Sequence, residues 1–586
     1  MKPNPATICY WLILLTVGLA SVWAARQIEA VQAGVDDANI FFVYANNLIQ
    51  GHGFVWNVGG ERVEGFSSLS WVVLTSPLFL LREHVGTLIH IFNILIVSFA
   101  VWRLAKSLGP ANGEPGAGVV WGATTLLFML WVVLTPRYLV WTVASKMETG
   151  LWSAALCLAL AEVLEARRRP DHPDGERHAW RLALLMPLVI TTRPEGMLWS
   201  GVWVGLFFLV LYTGGLPFLA SLRRACKPLF AALGSMAAVF AFRLWYFDSM
   251  FPNTYYAKVS PDRRYTLEMG YEYYLGFIRT GMHIRLFVIL AAVGLTVVAA
   301  LLVRWAWLQI VRRQETCLSA DMRGLGVAGV ALLIGLLVPV LVGGDHFEWF
   351  RFYQPIWPLL PVPALLLLRG VAGWVLKERV AAPWVHAGAI AVLLVGMLVF
   401  NTPRQSWSIA NERIVQEFIL AEDGRRMGRL LNEVHSDRPE VGAIAVGGIG
   451  FAYEGPINDL MGLNNVEMAR HPGDRHGIKN HAAFSKEVFF RQLPEIVVPF
   501  GFAGDANWDA AEWRARVQFY IDHRWIIQPL KGLTREAAFL DLYDLAVVSR
   551  PGTVDPRWIL AYYRKDYLAG LLAAGEQTVV RIPLTE

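Results

Sequence analysis

The strongest constraint on the fold is a succession of apolar runs, each about as long as a membrane-crossing helix, through the first 400 residues. A hydrocarbon core of roughly 30 Å is crossed by about 20 mostly apolar helical residues. Eleven spans are predicted: Ile8–Ala25, Val85–Leu104, Val119–Leu134, Gly150–Leu164, Leu182–Thr192, Met197–Tyr212, Leu229–Phe247, Leu286–Val303, Leu325–Val342, Gln354–Leu368 and Trp384–Phe400. The fifth is too short to cross alone, and the tenth carries Pro355, Pro358, Pro361 and Pro363. Both are predicted to run as broken helices sheltered by neighbours. The fold class is therefore a polytopic α-helical membrane protein of about 11 transmembrane helices. With 55% hydrophobic and 17% charged residues over 586 positions and a net charge of +5, neither a wholly soluble globule nor a disordered chain is expected.

Charge divides the chain in two. Residues 1–400 carry 31 Lys/Arg and 23 Asp/Glu, whereas the much shorter segment 401–586 carries 21 and 24. A transmembrane domain (1–400) and a soluble α/β domain (401–586) are predicted. In the second, an amphipathic stretch from Ser406 to Val434 precedes a strand-like run, Val441–Val446, and a later one, Ile496–Val498, which suits a small open sheet flanked by helices. Gly447-Gly448-Ile449-Gly450 resembles a phosphate loop only superficially, without the spacing or downstream carboxylate of one, and reads as a tight turn. Cys9, Cys157, Cys226 and Cys317 form no disulfide or zinc pattern. Basic residues sit between apolar runs and not in one aromatic-rich stripe, so nucleic acid is not an expected partner.

Lys/Arg in short loops mark the cytoplasmic side. With Lys2 inside, the clusters Arg103/Lys106, Arg167–Arg169/Arg177, Arg223/Arg224/Lys227, Arg304/Arg312/Arg313/Arg323 and Arg369/Lys377/Arg379 fall on one face, and an odd number of spans sends the tail to the other. The first run also has the shape of a cleavable signal peptide; retention is preferred, because the alternation then closes.

Nearly all the uncommon polar residues fall on the outer side in this topology, among them Asp36-Asp37, His52, Trp56, Glu64, Lys146, Glu148, Arg193, Glu195, Asn253, Tyr256, Lys258, Asp345, His346 and Arg351. Charges at membrane depth are costly, so they are paired or functional. Adjacent carboxylates raise each other's pKa, which suits Asp37 or Asp36 to act as a general base. Lys258, His346, Arg193 and Arg351 suit a phosphate, to which Arg binds in bidentate fashion. His52 and Trp56 suit a sugar ring. Plainer readings stand beside these: Arg193 with Glu195 and Lys146 with Glu148 as ion pairs pinning helices, Lys258 or Arg351 as interface anchors, Asp36-Asp37 as a helix cap, and Trp56 as an aromatic-belt residue. Ala38–Ile49 and Phe66–Leu81 are apolar enough to lie along the membrane interface. Convergence of distant loops on one cavity is the expectation on which the functional reading rests.

In these motifs the sequence resembles the membrane glycosyltransferases of the GT-C superfamily, and within them the terminal arabinofuranosyltransferase group. The likeness is carried by Asp36-Asp37 with Tyr44–Leu48, Gly51-His52-Gly53 with Trp56-Asn57, Arg62–Gly65, Met147-Glu148-Thr149, Arg193–Gly196, Pro252–Lys258, Gly343–His346, Arg351-Phe352 and Asp459–Leu463. It implies a GT-C fold, a polyprenyl-phosphate sugar donor of the decaprenyl-phosphoryl-arabinose type, and an active site and C-terminal domain facing the periplasm from the bacterial inner membrane. It also implies Asp36 and Asp37 as the catalytic acids, with Asp37 the preferred base. Lys258, His346, Arg351, Arg193, Glu195, Asp345, Asn253 and Tyr256 are expected around the donor, and Glu148, His52, Trp56 and Glu64 around sugar or acceptor. The acceptor is expected to be a glycan or surface protein, with membrane lipids as further partners. Lys146 and the bulky Phe347, Trp349 and Phe350 depart from the group's pattern, which leaves open the details of the donor pocket, including which pentose or hexose it accepts.

Three other readings compete. A lipid-linked sugar transporter should place polar residues near the midplane, and a lipid-headgroup hydrolase should show a nucleophile or metal cage. A mannosyl-type GT-C transferase would use a hexose donor. A divalent cation at Asp36 or Asp345 stays open, with no metal-ligand spacing in the sequence.

Overall fold

Apolar sequence becomes helix nearly throughout the first 400 residues. The computed structural model describes residues 5–109, 116–134, 136–168, 174–312, 316–376, 382–400, 408–479, 481–504, 515, 517–519, 521–550 and 557–582. Lys2, Arg169, Arg313, Lys377, Arg379 and Ser406, named above, lie outside them. The chain divides into two units: residues 1–27, 89–239 and 264–410, and residues 28–88, 240–263 and 411–586. The loop segments 28–88 and 240–263 are thus compacted with the tail in the second unit.

Among the described residues, seven helices are long and apolar enough to cross a membrane, or eight if a bent pair counts as one span. Gly196–Tyr212 and Ala382–Met397 are shorter apolar helices. The stretch Leu182–Thr192 is the second half of a helix, Asp174–Thr192, whose opening turns carry Glu176, Arg177 and Arg181. The run predicted as a plain span over Val119–Leu134 belongs to the bent pair: Ala117–Val133 meets Pro136–Ala144 at 79°. Proline has no N–H to give and crowds the preceding turn, which accounts for a break there. The bend is braced by Trp131 and Trp357, whose rings stack at 4.5 Å while each indole N–H donates to the other's carbonyl, at 2.6 and 3.0 Å. The proline-rich run around Gln354 splits as expected, into a 3-10 helix, Arg351–Leu359, and an α-helix, Pro361–Leu376.

In the first unit the helix Thr149–Ala166 is buried along nearly its whole length. Peripheral helices keep large apolar side chains exposed, such as Trp11, Leu15 and Leu19 on one and Ile289, Val303 and Ile310 on another. That pattern suits lipid as solvent. Several predicted basic clusters also meet: Arg167 and Arg168 donate to the Ser107 carbonyl at 3.2 and 2.7 Å, Arg369 to that of Leu108 at 3.3 Å, and Arg323 to that of Arg167. Cations at the last carbonyls of the helix Val85–Leu108 complement its dipole.

The second unit is built on a six-stranded mixed sheet: β1 Val441–Ala443, β2 Ile457–Asp459, β3 Ile496–Gly504, β4 Tyr543–Arg550, β5 Arg557–Arg564 and β6 Thr578–Arg581, in the order β2-β1-β3-β5-β4-β6. β1 pairs in parallel with β2 and β3, and the remaining pairs are antiparallel. Leu460, Phe489, Val497, Phe539, Tyr543 and Tyr562 are part of its core.

Two expectations for this unit are corrected. Ala38–Ile49 does not form a surface amphipathic helix: the helix is Asp36–Ile49, and Ala38 through Ala45 are buried. Phe42 packs edge-on against Phe79 and Phe451, and Arg425 lies over Phe451 at 4.6 Å. Apolar residues around most of the helix make it a core element. The glycine run is not a turn either, since residues Gly447–Ala452 form a short helix. A Cβ at Gly447 would lie 1.9 Å from the Asp36 carbonyl oxygen, so only glycine lets the two backbones approach. Gly447→Ala is expected to lower unfolding stability by about 2 kcal/mol or more, in the range of overpacked cores, as a lower melting temperature of the detergent-solubilised protein; unchanged melting would refute the close approach.

Candidate functional site

Asp36 and Asp37 open the helix Asp36–Ile49 and face different surroundings. Asp36 is buried, and its oxygens accept N–H bonds from Gly447 and Gly448 at 3.0 and 2.8 Å. The run read as a turn is thus the N-terminus that holds this carboxylate, a favourable place for negative charge. Burial pushes the Asp36 carboxyl up to about 6, outweighing the Gly448 and Gly447 bonds that favour its charged form. The charge of Asp37 raises it too, in the direction expected of adjacent carboxylates, but desolvation is the larger cause.

Asp37 is about a quarter exposed and lies 3.6 Å from Lys258, itself about a quarter exposed. Lys258 ends the six-residue helix Asn253–Lys258. At the start of that helix the buried Asn253 donates to the Gly462 and Leu463 carbonyls at 2.8 and 3.1 Å. Asn253 therefore fixes the helix to the tail and has its amide engaged in doing so. The loop it grips is ordered by Asp459, which accepts from the Met461, Gly462 and Asn464 backbone N–H groups and from the Asn464 side chain, at 2.8–3.1 Å. Burial raises Asp459 to about 6 as well. Asn464 in turn lies 3.0 Å from the Tyr44 hydroxyl, which accepts from Gly65 N–H. A Cβ at Gly65 would sit 1.8 Å from Asn464 Oδ1, so glycine is required there too.

Glu64 is buried in a two-bond pair with Arg243, at 2.8 and 2.9 Å. Trp56 is buried, donating to the Ile457 carbonyl at 3.3 Å. His52 is exposed in a turn, and Tyr256 lies under the Arg470 guanidinium at 4.7 Å. Among these residues Asp37 and Lys258 meet as a partly open pair, whereas Asp36, Asn253, Glu64 and Trp56 are held by internal bonds.

The remaining residues lie in the first unit. Glu148 pairs with Arg193 at 2.5 Å, and Arg193 with Glu195 at 2.9 Å. The expected Lys146–Glu148 pair is replaced: Lys146 sits at a positive φ of 62° with its ammonium 3.5 Å from the Ala144 carbonyl. Burial works against the charge of Arg193, but Glu195 and Glu148 outweigh it and hold the guanidinium more firmly charged than usual. Arg351 is 2.6 Å from Asp345, which also accepts from the His346 backbone N–H at 2.9 Å. Phe352 lies between the two arginines, 4.9 Å from Arg193 and 5.2 Å from Arg351, so these residues form one cluster. Both guanidinium groups are matched to carboxylates, an arrangement that fixes loops at least as well as it receives an anion. Among the described residues no group of three His, Cys, Asp or Glu is placed to hold a metal ion.

Three residues that matter here escaped the sequence reading. Arg243 lay inside a predicted span, where an isolated arginine is itself a signal. Gly447 and Gly448 were seen but given no partner.

Aligned over 424 residues, the chain is 26% identical to a terminal β-(1→2)-arabinofuranosyltransferase of Corynebacterium glutamicum, covering 67% of this chain and 56% of that protein. The chain is similar to an arabinofuranosyltransferase. It spans little more than half the length of that curated relative. The group that the motifs resemble is thus the group of the relative. Residues 410–539 match a family model described as a domain of unknown function, DUF8728. Solved structures with partial likeness include an Archaeoglobus fulgidus oligosaccharyltransferase (TM-score 0.45, 11% identity, 95% of this chain and 74% of that one) and ArnT of Cupriavidus metallidurans (0.44, 11%, 95% and 98%).

Two expectations follow. A carboxyl raised on folding holds its proton more tightly folded than unfolded, so between about pH 4 and 6 the folded state loses stability as pH rises. The melting temperature of wild type minus that of Asp36→Asn should therefore fall across that window; a constant difference would refute the burial argument. At the buried pair, Glu64→Gln or Arg243→Met alone should cost about 3–5 kcal/mol, and the double variant clearly less than their sum, as read from unfolding midpoints.

Proposed function

We propose that the chain is a polyprenyl-phosphate-dependent glycosyltransferase that moves a sugar, D-arabinofuranose by the likeness to the relative, onto a hydroxyl of a glycan or protein acceptor. The observation that carries this is the pair of aspartates with opposite roles: Asp36 buried and anchored on Gly447 and Gly448, Asp37 partly open beside Lys258. Asp36 is a positioning residue, which fixes the start of the helix and so the place of Asp37.

Asp37 removes the proton from the acceptor hydroxyl as its oxygen bonds to the anomeric carbon. The bond from that carbon to the phosphate oxygen breaks, and its electron pair leaves with the lipid phosphate. Lys258, 3.6 Å from Asp37, stabilises that developing charge. The phosphate assignment rests chiefly on Lys258, because Arg193 and Arg351 are each matched by carboxylates. The multi-pass helical body places the protein in a membrane. The basic clusters that meet around Ser107 and Leu108 support a cytoplasmic face there, hence a bacterial inner membrane with the reaction on the periplasmic side.

The test is transfer from radiolabelled prenyl-phosphoryl arabinose to candidate acceptors by purified protein. Asp37→Asn should lower kcat about 10²- to 10⁴-fold, and Lys258→Ala should lower kcat and weaken the donor. Undiminished transfer by Asp37→Asn would remove it as the base. Absence of transfer from any lipid-linked pentose or hexose would overturn the proposal.

A further inference from the structure

A cavity of about 250 Å³ opens in the second unit beside β2. Its lining comprises five primary amides, two carboxylates, one indole and one valine, with no cation. The amides orient one another. Asn465 Nδ2 donates to Asn458 Oδ1 and to Gln492 Oε1, both at 2.9 Å. Asn458 Nδ2 lies 3.0 Å from Gln492 Oε1 and 3.1 Å from Glu440 Oε1. Asn57 grips the backbone of β2 at Ile457 by two bonds of 3.0 Å, and Trp56 closes the wall behind it.

The chemistry of this lining selects its ligand. Without lysine or arginine it has nothing to neutralise a phosphate. A metal ion would need more ligands than this lining gathers: no group of three His, Cys, Asp or Glu among the described residues is placed to hold one, and Asn458 Oδ1 and Gln492 Oε1 already accept N–H bonds. What remains is acceptor capacity on two carboxylates. Glu440 Oε1 takes one amide bond and Glu61 Oε1 takes the Val466 N–H at 3.2 Å, and neither Glu440 Oε2 nor Glu61 Oε2 has a donor among the described residues. A polyhydroxylated ring meets that need, since its hydroxyls donate to the carboxylates and exchange hydrogen bonds with the amides. The volume lies below the roughly 300–1,000 Å³ of sites for drug-sized ligands, the scale of a sugar residue and not of a lipid chain.

We infer that this cavity is a subsite for a neutral sugar residue of the acceptor glycan, distinct from the Asp37–Lys258 pair. The inference rests on the proposed function for the word acceptor, but the binding site stands on its own lining.

Binding of an arabinan hexasaccharide to the detergent-solubilised full chain, by titration calorimetry, tests it. Glu440→Gln keeps an oxygen for Asn458, and Glu61→Gln alters an exposed side chain, so both variants should melt like wild type. Each should weaken binding about tenfold, the loss of a charge-assisted hydrogen bond. In the transfer assay each should raise the acceptor KM by a similar factor while leaving the donor KM and the kcat at saturating acceptor unchanged. Absence of hexasaccharide binding by wild type, equal binding by both variants, or displacement of the sugar by inorganic phosphate or calcium would overturn the inference. A wild type that binds the hexasaccharide through Glu440 yet transfers no sugar would defeat the proposed function and leave the subsite standing; normal transfer with an unchanged acceptor KM in both variants would do the reverse.

Discussion

The second unit depends on a carboxylate meeting two backbone N–H groups. Asp36 accepts from Gly447 and Gly448, and in doing so joins the helix Asp36–Ile49 to the segment that follows β1. Removing a charge from water is expensive unless hydrogen bonds replace the lost solvation. The helix N-terminus supplies them, and only glycine allows the approach. Asp459 repeats the device: a buried aspartate, satisfied by backbone N–H groups, orders the loop that Asn253 grips. Two buried acids therefore fix the elements that end in the Asp37–Lys258 ion pair, one the helix carrying Asp37 and the other the helix carrying Lys258.

A division of labour between neighbouring residues of identical chemistry follows. A carboxylate tied up by the backbone is poor at moving protons to and from a ligand, while its neighbour Asp37 is about a quarter exposed, 3.6 Å from Lys258. The same contrast separates Lys258, at an open edge, from Arg243, sealed against Glu64. Burial decides which acids and bases serve the fold and which remain for chemistry, and paired charges such as Arg193 with Glu148 and Glu195 lie toward the first category.

Much of this was legible in the residues. Apolar runs gave the helical body because their length and composition are local properties. The residue types singled out Asp37 and Lys258 as polar groups of interest, and the structure sets them 3.6 Å apart. What escaped was pairing across long stretches of chain. Nothing local says that Gly447 faces Asp36, that Glu148 chooses Arg193 over Lys146, or that Glu64 reaches into an apolar run for Arg243. The glycine run looked like a turn because glycine is common in turns, whereas its role here is to leave room for another backbone. Ala38–Ile49 looked interfacial because an apolar helix without a visible partner suits a lipid boundary; its partners, Phe79 and Phe451 among them, lie far along the chain.

The contact between Asp36 and Gly447 spans 411 positions of sequence. A ribosome adding 5–20 residues per second needs about 20–80 s to cover that distance. Throughout that interval the helix that carries both aspartates has emerged without the segment that satisfies it. Biogenesis must then proceed with the body of helices inserting first and the second unit closing last, so that a nascent chain cut short before Gly447 would have its helices in place and Asp36 without the backbone partners that hold it.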